Sequence, residues 1–194
     1  NTLVVGAPGE DSNVTGVLNG TVGSTNNGKS ASGAAYVFYY NTMTLTWAQQ
    51  AYLKGSDTSN TDQFGHSVAI DADTIAIGAW YEDSNATGAY NGASGSADDS
   101  VSGSGAAYVF IRSGVNWSQQ AYLKPAVTGV DYNFGTAIAV SGDLIIVGEP
   151  QDRSLSTGVT NGTTASSDYS GGYIGSAYVY SRTTTNWTQE AYLK

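Results

Sequence analysis

Apolar and polar residues alternate in short runs along the chain, and small polar turns separate the runs. In residues 117–123, Trp, Gln, Ala and Leu occupy every second position, with Ser, Gln and Tyr between them. A period of two points successive side chains to opposite faces, which is typical of a β-strand. No segment shows the apolar spacing of three and four residues that an amphipathic helix requires. The pattern therefore predicts a protein that is almost entirely β-structure.

The same runs recur with a fixed period. The octapeptide "WSQQAYLK" and its two close variants begin 70 residues apart, at Trp47, Trp117 and Trp187. The segment "GAAYVF" stands at residues 33–38 and 105–110, and it returns as "GSAYVY" at residues 175–180. A repeat of this length indicates one structural unit used several times in succession.

Each repeat reads as four antiparallel strands, which we call A to D. "FGHSVAI" (64–70) and "TIAIGA" (74–79) are joined by a short polar link, and a Ser-Gly turn joins the next two runs, "AAYVFI" and "WSQQAYL". Such links favour hairpins, and a succession of four-stranded antiparallel units is typical of propeller blades. We predict an all-β array of about three blades, with strand A innermost and the Trp-bearing strand D outermost. The blades are expected at residues 1–54 (lacking strand A), 55–124 and 125–194.

Two landmarks carry a resemblance to a known family. The stretch "DQFGHSVAIDADTIAIGAW…GSGAAYVF", with Phe64-Gly65 and the earlier Gly6-Ala7-Pro8, resembles the FG-GAP repeat, which forms the blades of integrin α-subunit propellers and of bacterial surface proteins. The resemblance covers essentially the whole chain and implies a β-propeller. Because a closed propeller needs more than three blades, we expect a section of a larger propeller. The alternative is a ring completed by copies of the chain.

Composition limits the possible partners. The net charge is −9 with only seven Lys and Arg residues, which argues against nucleic acid or anionic lipid as a partner. No apolar run approaches the length of a membrane span, so no membrane insertion is expected. The chain contains no Cys, which excludes disulfides, thiolate metal sites and Cys nucleophiles.

The sequence also argues against an enzyme. The single histidine, His66, is replaced by Thr136 in the next copy, which indicates a packing or hairpin position, and no Ser or Asp spacing completes a catalytic triad around it. Asp71, Asp73 and Asp143 fall in the A–B turns, where Asp is favoured for turn hydrogen bonds. Integrin-type repeats carry a calcium loop at this turn, but "DAD" or "SGD" stands here, so that site is not carried over.

The long loop between strands B and C offers a different metal pattern. "EDSNVTG" (10–16) and "EDSNATG" (82–88) place oxygen-bearing side chains on alternate residues before a Gly, which is similar to the start of a calcium loop. The same letters also fit Asx turns. The third loop has Arg153 and Leu155 at the corresponding places, so we expect calcium in the first two loops only. The candidate ligands are Glu10, Asp11, Asn13, Thr15, Glu82, Asp83, Asn85, Thr87, Asp98 and Asp99.

The second loop differs from the other two in its aromatic residues. Trp80, Tyr81 and Tyr90 stand where the first copy has Pro8, Gly9 and Leu18, so they are candidate ligand-binding residues. The repeated Trp residues of strand D are expected to pack between blades instead. Sequons such as Asn85-Ala86-Thr87 would accept N-glycans in a eukaryotic secretory route.

Together these observations predict a non-catalytic binding or adhesion module, extracellular or at the cell surface. Its B–C loops would present a surface to a protein or glycan ligand, and its blades would contact neighbouring blades or copies of the chain. Two alternatives stay open: a structural module that packs into a surface assembly or filament, and a propeller appended to an enzyme elsewhere in the polypeptide.

Overall fold

A computed structural model describes residues 1–194 and contains fourteen strands and no helix. The strands form three antiparallel sheets, one for each repeat. The first sheet contains β1 (Thr2–Ala7), β2 (Val17–Asn19), β3 (Ala34–Asn41) and β4 (Thr46–Leu53). The second contains β5 (Ser67–Asp71), β6 (Thr74–Ala79), β7 (Ala89–Asn91), β8 (Ala106–Ser113) and β9 (Asn116–Leu123). The third contains β10 (Ala137–Ser141), β11 (Leu144–Glu149), β12 (Val159–Asn161), β13 (Ser176–Thr183) and β14 (Asn186–Leu193).

The predicted fold class is confirmed, with one addition to the blade. In the second sheet the strand order is β5-β6-β8-β9-β7, so strands A to D follow one another as predicted. The first sheet begins at strand B, and β1 lies at its edge. The addition is a short fifth strand from the B–C loop, which pairs outside strand D, as Tyr90 does opposite Tyr122. Strand D is therefore outermost only along the half that carries Trp117.

Backbone hydrogen bonds explain why three residues of a long loop become a strand. Gly16 N donates to Gly55 O at 3.1 Å, and Lys54 N donates to Gly16 O at 2.8 Å, which extends the β2–β4 ladder by one step. Gly16 has φ = 77°, a left-handed conformation that glycine adopts without steric cost. The Gly that follows each loop motif thus turns the chain onto the free edge of strand D.

The sheets pack face to face, and the core lies between them. Ile75 and Ile77 of β6 pack towards the first sheet, whereas Ala76 packs towards the third, as the period of two requires. Phe64 and Phe134, each at the start of an inner strand, are buried against rings of the blade they introduce. Phe64 meets Tyr108 edge to face at 5.3 Å, and Phe134 meets Tyr178 at 5.6 Å. Apolar faces on both sides of the middle sheet make the three repeats one continuous array.

The landmark glycines lie where the backbones of two blades touch. A Cβ at Gly6 would overlap the carbonyl oxygen of Gly65, and a Cβ at Gly33 would overlap the backbone of Phe64. Gly78 and Gly105 stand in the same relation to the Phe134–Gly135 step. The Phe-Gly dipeptide of one blade therefore fits against two glycines of the preceding blade, which explains why these letters recur in phase.

Candidate binding surface

The B–C loops span residues 8–33, 80–105 and 150–175. Strand register places them at one end of the blades, because Ser67, Gly78, Ala107 and Leu123 lie in line across the second sheet. The links between consecutive blades lie at this end too, and the A–B and C–D turns lie at the opposite end. We call the end that carries the B–C loops the loop face.

A fully buried lysine holds the second loop. Lys124 is the last residue of "AYLK", and its Nζ donates to Glu82 Oε2 at 2.7 Å, Ser84 O at 2.9 Å and Ser104 Oγ at 2.7 Å. Ser104 Oγ in turn donates to Ser84 O at 2.7 Å, and Tyr122 donates from its hydroxyl to Glu82 Oε1 at 2.7 Å. Both ends of a loop of 26 residues are thereby tied to one ammonium group.

At this buried lysine, which we call the loop anchor, the ion pair offsets the cost of burying the two charges. Burial lowers the pKa of Lys124 and raises that of Glu82, and the ion pair between them opposes both shifts. A buried ammonium group is tolerated only when charge and hydrogen bonds compensate its lost hydration. The 2.7 Å ion pair and the two oxygen acceptors supply that compensation here.

The first loop repeats this anchor, and the third departs from it. Lys54 Nζ donates to Glu10 Oε2 at 3.1 Å, to Ser12 O at 2.9 Å and to Ser32 Oγ at 2.7 Å. In the third loop Lys194 lies 3.5 Å from Asp152 Oδ1, without a hydrogen bond from its Nζ. A second buried carboxylate, Glu149, stands there in place of the alanines of the other copies. Burial, aided by Asp152, raises the pKa of Glu149 well above its ordinary value.

Some of the candidate calcium ligands already make hydrogen bonds or an ion pair within the protein, and the others are exposed. Glu10 and Glu82 are engaged by the buried lysines, while Asp11 Oδ1 accepts from Ala31 N and Asp83 Oδ1 accepts from Gly103 N, both at 2.7 Å. The other candidates are exposed: Asn13, Thr15, Asn85, Thr87, Asp98 and Asp99. No group of three or more His, Cys, Asp or Glu side chains is placed to hold a metal ion. Calcium binding stays a prediction, and it would draw on amide, hydroxyl and backbone oxygens beside the aspartates.

The Asp98 carboxylate links its own part of the second loop to Asn85, thirteen residues earlier in the chain. Its Oδ2 accepts from Asn85 N at 3.2 Å and its Oδ1 accepts from Ser100 N at 3.0 Å. Hydrogen bonds from Ser100 and from Asn85 N lower the pKa of the Asp98 carboxyl. Asp168 repeats the bridge in the third loop, with Leu155 N as its donor at 3.2 Å. The carboxylate therefore orders the loop whether or not a metal binds.

Two of the three candidate ligand-binding aromatics lie together. The Trp80 and Tyr81 rings meet edge to face at 4.6 Å, and His66 stacks on Trp80 at 4.6 Å with planes 23° apart. The Trp80 indole nitrogen donates to Gln63 Oε1 at 3.0 Å, which fixes the ring orientation. Tyr90 lies on β7, packs on Tyr122 at 5.8 Å, and is 40% exposed. We call His66, Trp80 and Tyr81 the aromatic cluster.

The A–B turns differ from the simple turn hydrogen bonding predicted for their aspartates. Arg112 Nη2 lies 2.6 Å from Asp73 Oδ1, and Arg182 makes the same pair with Asp143. Asp71 Oδ2 accepts from Gly142 N in the next blade at 2.7 Å. These contacts brace strand C and the neighbouring blade, which the spacing of the aspartates alone does not reveal.

Sequence reasoning missed the residues that anchor the loops. Lys54 and Lys124, with Ser32 and Ser104, were not among the candidates. The signal was present, because a Lys follows "AYL" in all three copies, and a Ser precedes the Gly of both "GAAYVF" segments. A cation repeated at the end of an apolar strand calls for a repeated carboxylate, and an acidic residue stands at the same place at the start of all three B–C loops, as Glu10, Glu82 and Asp152.

Comparison with known families agrees with this architecture. Residues 47–97 match the family described as FG-GAP repeat, from strand D of the first blade into the second B–C loop. The resemblance noted from the sequence is thus confirmed. A search of curated proteins gives no match. FG-GAP repeats form non-catalytic propeller modules and are typically extracellular. No helix capable of crossing a membrane is present.

Proposed function

We propose that this chain, which carries an FG-GAP repeat, is an extracellular, non-catalytic binding module that engages its ligand through the loop face. Buried lysines tie the first two B–C loops at both ends. That is the single observation carrying the proposal, because loops ordered before binding lose little conformational entropy when a ligand arrives. Long loops on a rigid scaffold are also where binding residues are most often found.

The second loop supports a neutral glycan as ligand. The aromatic cluster belongs to the second blade alone, since Pro8 and Pro150 take the place of Trp80 in the other copies. Ring faces pack well against the C–H faces of sugars, and a ring held by an indole hydrogen bond loses little freedom on binding. The net charge of −9 disfavours sialylated or sulfated sugars.

Calcium is a further part of the proposal. Carboxylate and amide oxygens of the first two loops would hold it, with Asp83, Asn85 and Thr87 in the second loop. A bound cation would offset the acidic charge near the loop face and could bridge to sugar hydroxyls. The third loop, with Arg153 and Leu155, lacks this set.

Binding to an array of neutral, sialylated and sulfated oligosaccharides, with calcium and with a chelator, tests the proposal. We expect retention of neutral oligosaccharides and at least about tenfold weaker binding by Trp80→Ala and Tyr81→Ala, which is about 1.4 kcal/mol. Met43→Ala is the matched control, because Met43 is 94% exposed on a C–D turn at the opposite end. If neither aromatic variant differs from Met43→Ala in binding, the aromatic cluster is not part of the binding surface, and if no oligosaccharide is retained with calcium or with the chelator, the glycan proposal is wrong. Circular dichroism of each variant verifies folding.

A structural packing module is the second candidate, because the outward faces of the first and third blades carry apolar side chains that residues 1–194 do not cover. Leu3 and Val5 are exposed on the first blade, and Leu144 and Ile146 on the third. This candidate does not exclude ligand binding by the loop face, since the two surfaces are separate.

A further inference from the structure

The third blade brings two buried carboxyl groups together with Lys194, the counterpart of the loop anchor Lys124. Glu149 of strand B is paired with Ser176 of strand C, and Lys194 directly follows strand D on the same rung of the sheet. Side chains on one rung point to the same face of a sheet. Asp152, in the turn after strand B, has its Oδ1 at 3.5 Å from Lys194 Nζ. Glu149 is fully buried and Asp152 nearly so.

The backbone fixes Lys194 as it fixes the lysines of the other two blades. Lys194 N donates to Gly158 O at 2.8 Å, just as Lys124 N donates to Gly88 O at 2.8 Å. The side chain of Lys194 is 3% exposed, so residues 1–194 already enclose its amine. The groups that this amine can react with are therefore the side chains buried around it.

Three substitutions change the surroundings of this lysine. Ala79, Glu82 and Ser104 of the second blade are replaced in the third by Glu149, Asp152 and Ile174. The hydroxyl that accepts from the lysine in the second blade is thereby lost, and a second carboxyl group is added. Lys194 Nζ and Glu149 Oε1 are both buried without a hydrogen-bond partner. Buried charges in that state are costly, so a reaction that converts charged groups into neutral ones is favourable there.

The Asp152 carboxyl group is held between two hydrogen-bond donors. Ser154 N donates to Oδ1 at 2.7 Å, and the Tyr192 hydroxyl donates to Oδ2 at 2.6 Å. Donors fixed on the oxygens of a carboxyl group stabilise the negative charge that develops when a nucleophile attacks the carbon. Lys194 Nζ, 3.5 Å from Oδ1, is the nucleophile held beside it.

Glu149 has the properties of a proton carrier for this pair. Burial raises the pKa of Glu149 well above its ordinary value, and the neighbouring Asp152 carboxylate adds to the shift, so the protonated form is favoured. Glu149 Oε2 accepts from Ser176 Oγ at 3.2 Å, which leaves Oε1 without a partner in the protein. A protonated carboxyl group donates a proton from one oxygen and accepts one at the other, as proton transfer between two groups requires.

We propose that Lys194 Nζ and Asp152 Cγ join in an amide bond within the third blade. A proton first passes from the Lys194 ammonium group to the Asp152 carboxylate, which leaves a neutral amine and a carboxylic acid. Nζ then attacks Cγ and forms the new bond. Glu149 takes a proton from the nitrogen and gives its own to Oδ2, the Cγ–Oδ2 bond breaks, and water leaves. The nitrogen keeps one hydrogen, Glu149 ends protonated as it began, and no oxidant or other reactant is consumed.

The other two blades keep their ion pairs. In the second blade three hydrogen bonds of 2.7 to 2.9 Å support the Lys124 ammonium group, and Ala79 offers no group that carries a proton. The cross-link belongs to the third blade, where it ties the end of strand D to the start of the B–C loop. The chain has no Cys, so this amide restricts the unfolded chain as a disulfide does in other proteins.

Intact-mass spectrometry of the 194-residue chain, denatured after folding, tests the proposal. We expect the wild type to be lighter than its sequence mass by one water molecule. A tryptic digest should then contain the peptide with Asp152 joined to the peptide with Lys194. Asp152→Asn should form the same amide bond with loss of ammonia in place of water.

Glu149→Ala is the matched control, because the second blade has Ala79 at this position. We expect this variant to fold, as circular dichroism would verify, and to keep its full sequence mass. A folded wild type at its full sequence mass overturns the proposal, and so does a loss of water without joined peptides. Loss of water that persists in Glu149→Ala overturns the proton transfer assigned to Glu149.

Discussion

The side-chain amide of Asn91 makes two hydrogen bonds with the backbone of Trp187 in the next blade. Trp187 N donates to Asn91 Oδ1 at 2.6 Å, and Asn91 Nδ2 donates to Trp187 O at 3.1 Å. Blades of a propeller share no backbone ladder along their outer strands, so this side chain supplies the missing strand-like pairing. It couples the folding of neighbouring repeats, whose stability is a sum of blade and junction contributions.

Replacing Asn91 by Ala is expected to destabilise the chain by about 1–3 kcal/mol, because two partly buried backbone groups lose their partner. Asn161→Ala is the matched control, since Asn161 occupies the same position on the third blade and is exposed. Urea denaturation at a concentration where the chain is monomeric compares the two variants. Equal midpoints would show that the two hydrogen bonds between Asn91 and Trp187 add nothing to the stability of the blade junction.

The glycine contacts between blades give a second prediction. Gly78→Ala places a methyl group against the carbonyl of Gly135, and neither backbone can move without shifting a whole strand. Overpacking of this kind costs about 1–3 kcal/mol or more. At Gly148, the same position in the third blade, the nearest atom to an added Cβ is the Ala137 Cβ at 3.5 Å, an ordinary contact. Thermal denaturation should show a lower melting temperature for Gly78→Ala and a nearly unchanged one for Gly148→Ala.

Much of this fold follows from the sequence because its signals are local and repeated. Alternation in residues 117–123, the short A–B link and the in-phase landmarks specify strands, hairpins and blades. The fifth strand β7 could not be predicted, because three residues inside a polar loop carry no periodicity and their pairing depends on the free edge of strand D. The contact between Asn91 and Trp187 could not be predicted either, because the Asn of an Asn-Gly pair is already explained by the turn that the pair forms.

The loop face was harder to predict than the fold. Glu82 is a candidate calcium ligand because of its neighbours in sequence, whereas its contact with Lys124, forty-two residues away, is not visible from the sequence. Asp83 stays a candidate calcium ligand, and its Oδ1 also accepts from Gly103 N, twenty residues away. Contacts of this range depend on which strand end meets which loop, so they become visible only once the blade is built.

A buried carboxylate predicts how stability depends on pH. Asp62 is 4% exposed, its Oδ1 has no hydrogen-bond partner, and burial raises its pKa to about 7. The Asp62 carboxyl group therefore binds its proton more tightly in the folded chain than in the unfolded chain. The stability it contributes is fully present below about pH 4 and is lost as the pH rises towards 7, at about 1.4 kcal/mol for each pH unit.

Asp62→Asn removes this contribution, so its unfolding free energy should fall less steeply between about pH 4 and pH 7 than that of the wild type. Burial raises the pKa values of Glu82 and Glu149 too, so a residual slope of the same sign is expected. Urea midpoints across the pH range provide the comparison. Parallel curves for the variant and the wild type would contradict a raised pKa at Asp62.

The number of calcium sites in the loops can be counted directly. Calorimetric titration should find two sites, one in each of the first two loops, and Asp83→Ala should remove one of them. The third loop is the internal control, because Arg153 and Leu155 replace two oxygen-bearing residues. No heat of binding at millimolar calcium, or three equivalent sites, would refute the prediction.

The central claim is that the loop face is a rigid surface anchored by buried lysines, and hydrogen–deuterium exchange measures that rigidity without knowledge of the ligand. In the wild type the amides of Val101, Gly103 and Gly105, each hydrogen-bonded within the second loop, should be protected as strand amides are. In Lys124→Met, which leaves Glu82 buried without its cation, exchange in residues 80–105 should rise at least about tenfold while residues 8–33 keep their protection. Exchange of the wild-type loop at the rate of an unstructured peptide, or no change in the variant, would contradict the account.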